Sequence, residues 1–433
     1  MTGEKSTSRF LDKFTETFGL YSFGNSTYGR LAAHILLGLA VKKCKIYSGP
    51  IYVDPRVSLF VIQPSATGKS TPWGLISKVA KEAGIDVDDV DEATDAALIG
   101  TIEQEEILDE ETGTKKTVYN KVMGKLATAE LLHFDEGSML MERSSHSAHA
   151  MTWFQKALNP LGSEQSKCTK KLAHGDQIEF YPSCSLLITS HPLTGVLETI
   201  LNKGFFQRII LYPRDVPIVE RQGVEYQRVE KLGTRIFTEP DIKSLGQVLQ
   251  EIRSKYSEVD ASFNPNIRPV MKAKIKAFYE IIKNAHPKVK EIMATFIPRY
   301  DNYLAILAFH HMCDRNGNKV EIEDVNYAFS VLYLLFKDLM VWVEEMSDFY
   351  KLSSKEMTYL QKAQALFRRF VPHTSDGWIL KSEFISKCSD EWRISKVTVT
   401  KFLDKFRGYN KLVEKELGGI RYVKMLKPGE NTT

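Results

Sequence analysis

At 433 residues the chain is long enough for two or three domains with a sizeable core, and 43% hydrophobic with 26% charged residues excludes a fibrous or wholly disordered chain. A net charge of +4 is too small to identify a partner, and five scattered cysteines fit neither a zinc spacing nor a disulfide framework. No apolar run reaches the roughly 18 residues of a membrane span, and the opening MTGEKSTSRFLDKF lacks a signal core, so a cytoplasmic protein with no membrane partner is expected.

In chain order, residues 1–50 read as an N-terminal helical segment, with Phe10, Phe14 and Phe18 and then Leu31, Ile35 and Leu39 at helical spacing. VSLFVIQ (57–63) is a buried strand, and STPWGLISKVAKEAG (70–84) a helix stopped by Gly84. Residues 86–111 are acidic; 107–126 then resemble a hairpin around Gly113. ELLHFDEG (130–137) is a second buried strand, a helix follows around 148–159, and 168–181 form another hairpin near Gly175. SCSLLITSH (183–191) and QRIILYP (207–213) are the third and fourth strands. Strands alternating with helices predict an α/β domain with a mainly parallel sheet over 51–217. Residues 218–240 look like a linker, within a domain over 218–350 that becomes almost wholly helical. A last domain covers 351–426 and a disordered tail 427–433.

The stretch QPSATGKST joins the first strand to the next helix. It fits a phosphate-binding loop, Gly-x4-Gly-Lys-Ser/Thr, except that Gln63 stands at the first position. In such a loop Pro64, Ser65, Ala66, Thr67, Gly68, Lys69, Ser70 and Thr71 wrap the phosphates of ATP. Lys69 neutralises phosphate charge, and Ser70 faces Mg²⁺. The strand ending in Asp135-Glu136 supplies one carboxylate for the metal and a second to polarise water, which favours hydrolysis. At the end of the third strand Thr189 or Ser190 can bond the γ-phosphate or the water, with Thr189 preferred. Arg208, at the entrance to the fourth strand, suits an arginine finger reaching a neighbouring subunit, which makes the protein a homo-oligomer. Each element also has a plain structural reading, as a turn, a helix cap or a surface ion pair.

The ordered set resembles an AAA+ ATPase, and within it the minichromosome-maintenance-like helicase group with its two β-hairpin inserts. The segments 93–140 and 166–192 have that group's layout. The resemblance implies an AAA+ P-loop core with hairpin inserts, an α-helical lid and a C-terminal winged helix. It also implies a hexameric ring in DNA replication, of a virus, plasmid or mobile element, with a possible primase or polymerase partner. Lys170, Lys171 and His174 then belong to a DNA-facing hairpin, and Arg299 opens a lid helix and senses the γ-phosphate. Two departures stand out: Gln63 in the loop, and no room before the first strand for the group's N-terminal OB region.

Residues 357–426 read as a winged helix, with Ser395 capping a third helix that faces DNA through Lys396, Thr398 and Lys401 and buries Val399, Phe402 and Phe406. Lys411, Arg421 and Lys424 along the wing would neutralise phosphates, although a protein-contact role fits the same fold. The expected activity is ATP-driven translocation or unwinding of single-stranded or forked DNA. The alternative is an ATP-switched replication initiator or loader that does not unwind.

Overall fold

The computed structural model describes residues 9–21, 26–48, 51–64, 67, 69–91, 93–108, 115–141, 149–172, 177–192, 204–214, 222–223, 225–226, 229–230, 232, 239–285, 287–351, 354–370, 377–408 and 412–425. Ser65, Ala66, Gly68, His174, Lys411 and the tail lie outside these residues, as does most of the expected linker. The chain forms two compact units, Met1–Leu339 and Met340–Thr433.

Among the described residues the first unit carries eleven strands in chain order: β1 (Ile46–Ser48), β2 (Ile51–Val53), β3 (Leu59–Ile62), β4 (Val87–Asp89), β5 (Gly100–Leu108), β6 (Lys115–Met123), β7 (Leu131–Phe134), β8 (Cys168–Lys171), β9 (Gln177–Phe180), β10 (Ser185–Ser190) and β11 (Ile210–Pro213). Five make one parallel sheet in the order β11-β3-β10-β7-β4. The α/β class and the parallel sheet are therefore as the sequence predicts. Its four central and flanking strands coincide with the apolar runs, because a strand covered on both faces must be apolar throughout. The fifth, β4, was not expected: it lies in the acidic stretch, and an edge strand needs no continuous apolar run.

Helices cover both faces of the sheet. On one face Phe60 stacks on Phe206 at 5.9 Å, and Phe134 meets Phe154. Those partners sit on helices Ala150–Ala157 and Gly204–Arg208. On the other face His133 of β7 stacks on Trp73, the first residue of helix Trp73–Glu82. Tyr28 of helix Ser26–Ala40 approaches Tyr212 of β11. Gly84 ends the Trp73 helix with φ +70°, where glycine avoids the side-chain clash of left-handed backbone.

Three expectations need correction. The first hairpin pairs Gly100–Leu108 with Lys115–Met123, so its leading strand begins well before residue 107, inside the acidic stretch. Glu103, Gln104 and Glu106 are exposed on this strand, so no alternation of apolar and polar residues marks its period. A short hairpin, β1–β2, precedes the sheet and was not read from the sequence. Arg299 does not open a helix: it lies inside Pro287–Asp314, immediately after Pro298, within a continuous helix that tolerates the proline.

Among the described residues, Ile322–Glu345 alone has the length and apolarity of a membrane span. In the first unit its Val325, Ala328, Leu332, Leu335 and Phe336 are buried in the core, which accounts for their apolarity.

The second unit has helices Ser354–Phe370, Lys381–Trp392 and Lys396–Gly408, with strands β12 (Ile379–Leu380), β13 (Leu412–Leu417) and β14 (Ile420–Met425). The sheet order is β12-β14-β13, antiparallel, and β13 turns into β14 through Gly418-Gly419, both at positive φ. Phe384, Trp392, Val399, Leu403, Phe406 and Val423 anchor its core. Phe402 packs against that core only half-buried, contrary to expectation.

Candidate functional site

The chain leaves the carboxyl ends of neighbouring strands β3 and β10 in opposite directions across the sheet, toward β4 from one and toward β11 from the other. That is a topological switch point, where open parallel sheets form their ligand crevice. The expected phosphate loop and Thr189 both stand there.

Lys69 is 7% exposed, and its ammonium is buried without a hydrogen-bond partner among the described residues. Burial pulls its pKa below the ordinary value, and the charges of Glu136 and Asp135 oppose that pull only in part. An unpaired buried ammonium costs several kcal/mol, which is why burial drives its pKa down. Tyr28 Oη donates to the Lys69 carbonyl at 3.2 Å, tethering the loop to the N-terminal helix. Thr67 Oγ1 donates to the Pro64 carbonyl at 2.8 Å, closing the loop on itself.

Asp135 lies where β7 ends, and three donors hold it. Ser70 Oγ lies 3.0 Å from Oδ2, the Glu136 amide 3.2 Å from Oδ1, and Thr189 Oγ1 donates to the same carboxylate. Burial pushes the Asp135 carboxyl up, but the hydrogen bonds from Thr189 and Ser70 hold it below the usual carboxylate range. Thr189 is thus the third-strand residue that engages the site, whereas Ser190 Oγ donates to the His191 carbonyl. Glu136 has φ 63°, a left-handed conformation rare for a non-glycine residue and costing about 1–3 kcal/mol. Its carboxylate lies 3.1 Å from His191 Nε2.

The paired oxygens of Ser70 and Asp135 fit Mg²⁺, a hard cation that completes its shell with water and substrate phosphates. Among the described residues no group of three or more His, Cys, Asp or Glu side chains forms a metal cage. The unpartnered Lys69 ammonium beside them fits the phosphates of a nucleotide. Sequence reading missed Tyr28 and a bracing cluster behind the loop: Asp89 of β4 accepts from Trp73 Nε1 at 3.0 Å and pairs with His133 Nδ1 at 2.7 Å. The tryptophan directly after the loop was the one available signal.

Arg208 and Arg299 lie elsewhere. Arg208 ends helix Gly204–Arg208, two residues before the amino end of β11, which is in register with the amino end of β3. The loop follows the carboxyl end of β3, so the length of a four-residue strand, about 13 Å, separates the two levels. Arg208 and Arg299 line one small cleft with Asp54, Arg56, Asn302 and Tyr303. Arg56 is fully engaged by Asp54 and by the carbonyls of Cys184 and Asn159. Arg299 has no hydrogen-bond or ion-pair partner among the described residues. Burial, and then the charge of Arg299, pulls the Arg208 guanidinium below its ordinary value. Arg208 is itself held by Nε to Asn159 Oδ1 at 3.1 Å and by a second guanidinium nitrogen to the Gly204 carbonyl at 2.7 Å.

The expected DNA contacts divide. Lys170 is occupied, its Nζ donating to the Gly100 carbonyl at 2.9 Å at the base of the first hairpin. Lys171 is exposed on the opposite face of its strand. In the second unit Lys396 and Lys401 are exposed. Ser395 caps the third helix as predicted, accepting from the Thr398 amide at 3.2 Å, and the Thr398 hydroxyl bonds Ser395 at 2.9 Å instead of standing free. Arg421 pairs across the β13–β14 turn with Glu416 at 3.1 Å.

Compared with known proteins, the chain matches no protein-family model and no curated sequence.

Proposed function

We propose that the protein is an AAA+ ATPase that hydrolyses Mg·ATP between the subunits of a ring, hexameric by resemblance, and translocates on single-stranded or forked DNA during replication of a virus, plasmid or mobile element. The observation that carries this reading is the split between two incomplete half-sites. A lysine loop with two carboxylates stands at one end of the sheet, and a pair of arginines at the other. In this reading two copies packed head to tail bring the loop of one and the arginines of the other to the same phosphate.

In this reading Lys69 neutralises the phosphates and Ser70 with Asp135 faces the metal, which when bound screens phosphate charge. Glu136, once free of His191, orients the attacking water, and Thr189 holds Asp135 in place. Arg208 and Arg299 of the adjoining copy meet charge developing on the γ-phosphate. The exposed Lys171 on β8 touches a strand in the channel, and the second unit, as a winged helix, adds Lys396 and Lys401.

A second reading, an ATP-switched initiator or loader without unwinding activity, is favoured by one observation. Lys170, a lysine that a translocating hairpin would use, is tied to Gly100. ATP turnover with and without single-stranded DNA, alongside strand displacement, tests both. The motor reading expects DNA-stimulated turnover and an unwinding activity that Lys171→Ala abolishes while basal turnover persists. Turnover without any displacement supports the switch, and absence of ATP binding removes both.

A further inference from the structure

The arginine cleft and the second hairpin share one side chain. Asn159 follows helix Ala150–Ala157 and is almost fully buried. Its Oδ1 accepts from Arg208 Nε at 3.1 Å, and its Nδ2 donates to the Gln165 carbonyl at 2.9 Å. Arginine can only donate and a carbonyl can only accept, so chemistry fixes the orientation of this amide. Gln165 lies in the turn Glu164–Ser166, directly ahead of β8. A second strap runs in parallel, from Lys156 Nζ to the Lys167 carbonyl at 2.8 Å.

The hairpin so rooted leans on its neighbour. Lys170 and Ile178 are cross-strand partners on one face, and both reach Gly100, where the first hairpin begins. Gly100 has φ 123°, and a Cβ there would lie 2.2 Å from the Val122 carbonyl oxygen, so the contact requires glycine. Lys171 projects from the other face, into solvent.

We propose that Asn159 is a positioning residue that couples the Arg208 cleft to both hairpins: an anion captured by Arg208 alters its bond to Asn159 and, through Gln165, the root of the hairpin that carries Lys171. The inference rests on the reading of Arg208 as a phosphate ligand for an adjoining copy. Lys170 then acts as a strut between hairpins, which accounts for its being occupied.

Asn159→Asp is the discriminating variant, because it keeps the acceptor for Arg208 but replaces the donor to Gln165 with an oxygen facing a carbonyl. Asn159→Leu, which removes both bonds, is the second variant. In the full-length protein without ligand, either change is expected to raise amide hydrogen exchange across 165–171 and 177–180 at least about fivefold. Exchange in helix Trp73–Glu82 should stay at the wild-type rate. With a non-hydrolysable ATP analogue at fixed salt, wild type is expected to change its affinity for a single-stranded oligonucleotide about five- to tenfold. Asn159→Asp and Arg208→Ala should each reduce that change below about twofold, and the double variant should be no worse than Arg208→Ala alone. Unchanged hairpin exchange in both Asn159 variants, or a full nucleotide effect in Asn159→Asp, overturns the coupling. If Lys69→Ala binds the analogue as tightly as wild type, the nucleotide reading itself has failed. A rise in hairpin exchange would then still support the mechanical link, and its absence would overturn that too.

Discussion

The two ends of the parallel sheet each combine a satisfied charge with an incompletely neutralised cation. At the carboxyl end, Asp135 is satisfied by Ser70, Thr189 and a backbone amide, while the nearby ammonium of Lys69 has no hydrogen-bond partner among the described residues. At the amino end Arg56 is satisfied by Asp54, while Arg208 and Arg299 line one cleft and pair with no carboxylate among the described residues. The two groups stand at opposite ends of four-residue strands, about 13 Å apart along the sheet. In the proposed reading both groups serve one nucleotide, held between two copies of the chain.

The largest expected effect comes from the amino end. Arg208→Ala should lower ATP turnover by about a thousandfold with little change in nucleotide affinity, as for an arginine acting only in the transition state. An unchanged turnover would reduce the cleft to a structural ion cluster. Next comes the packing that holds that end to the helical region. His310 Nε2 donates to the Pro55 carbonyl at 2.8 Å, and its Nδ1 lies 3.1 Å from Nδ1 of the buried His34. Burial pushes His310 down to about 3, and it lowers His34 as well. Unfolded imidazoles take up protons below about pH 6.5, so stability is full above that value and falls as the pH drops toward the folded pKa. For His310 the loss at pH 5 is about 2 kcal/mol. Melting curves at pH 7 and pH 5 should show this destabilisation, with a smaller drop in His310→Gln.

At the carboxyl end Thr189→Val should slow turnover about tenfold, by removing one charge-assisted hydrogen bond that orients Asp135. An effect as large as that of Arg208→Ala would mean that Thr189 touches the reacting atoms itself. The smallest effect serves as a control away from both ends. Arg421→Ala breaks an exposed pair with Glu416 and should alter stability by less than about 0.5 kcal/mol.

The carboxyl end was largely legible in the sequence, and the amino end was not. Buried strands must be apolar throughout, so LFVI, LLHF and SLLITS mark themselves. The loop, Asp135 and Thr189 follow directly from where those strands stop. The edge strand Val87–Asp89 has only one neighbour, and its acidic sequence gave no strand signal. Arg208 could be named from its place before a strand, but its proximity to Arg299 depends on a fold contact between distant segments. The Asn159 bridge is still less visible, because a lone asparagine between a helix and a turn has no period or motif to reveal it. Lys170 and Lys171 are equivalent in sequence, and only the pleat of β8, which points one at Gly100 and the other at solvent, separates them.

Mixing two inactive variants tests the central claim most directly. Lys69→Ala retains its arginines and Arg208→Ala retains its loop, so a head-to-tail interface between them contains one intact composite site. Equal amounts, subunits exchanged, should recover ATP turnover to about a quarter of wild type, the share of interfaces that pair an intact loop with an intact arginine in a heterologous ring. Turnover no greater than the sum of the two parents, or full wild-type turnover from a protein that sediments as a monomer, would contradict the account.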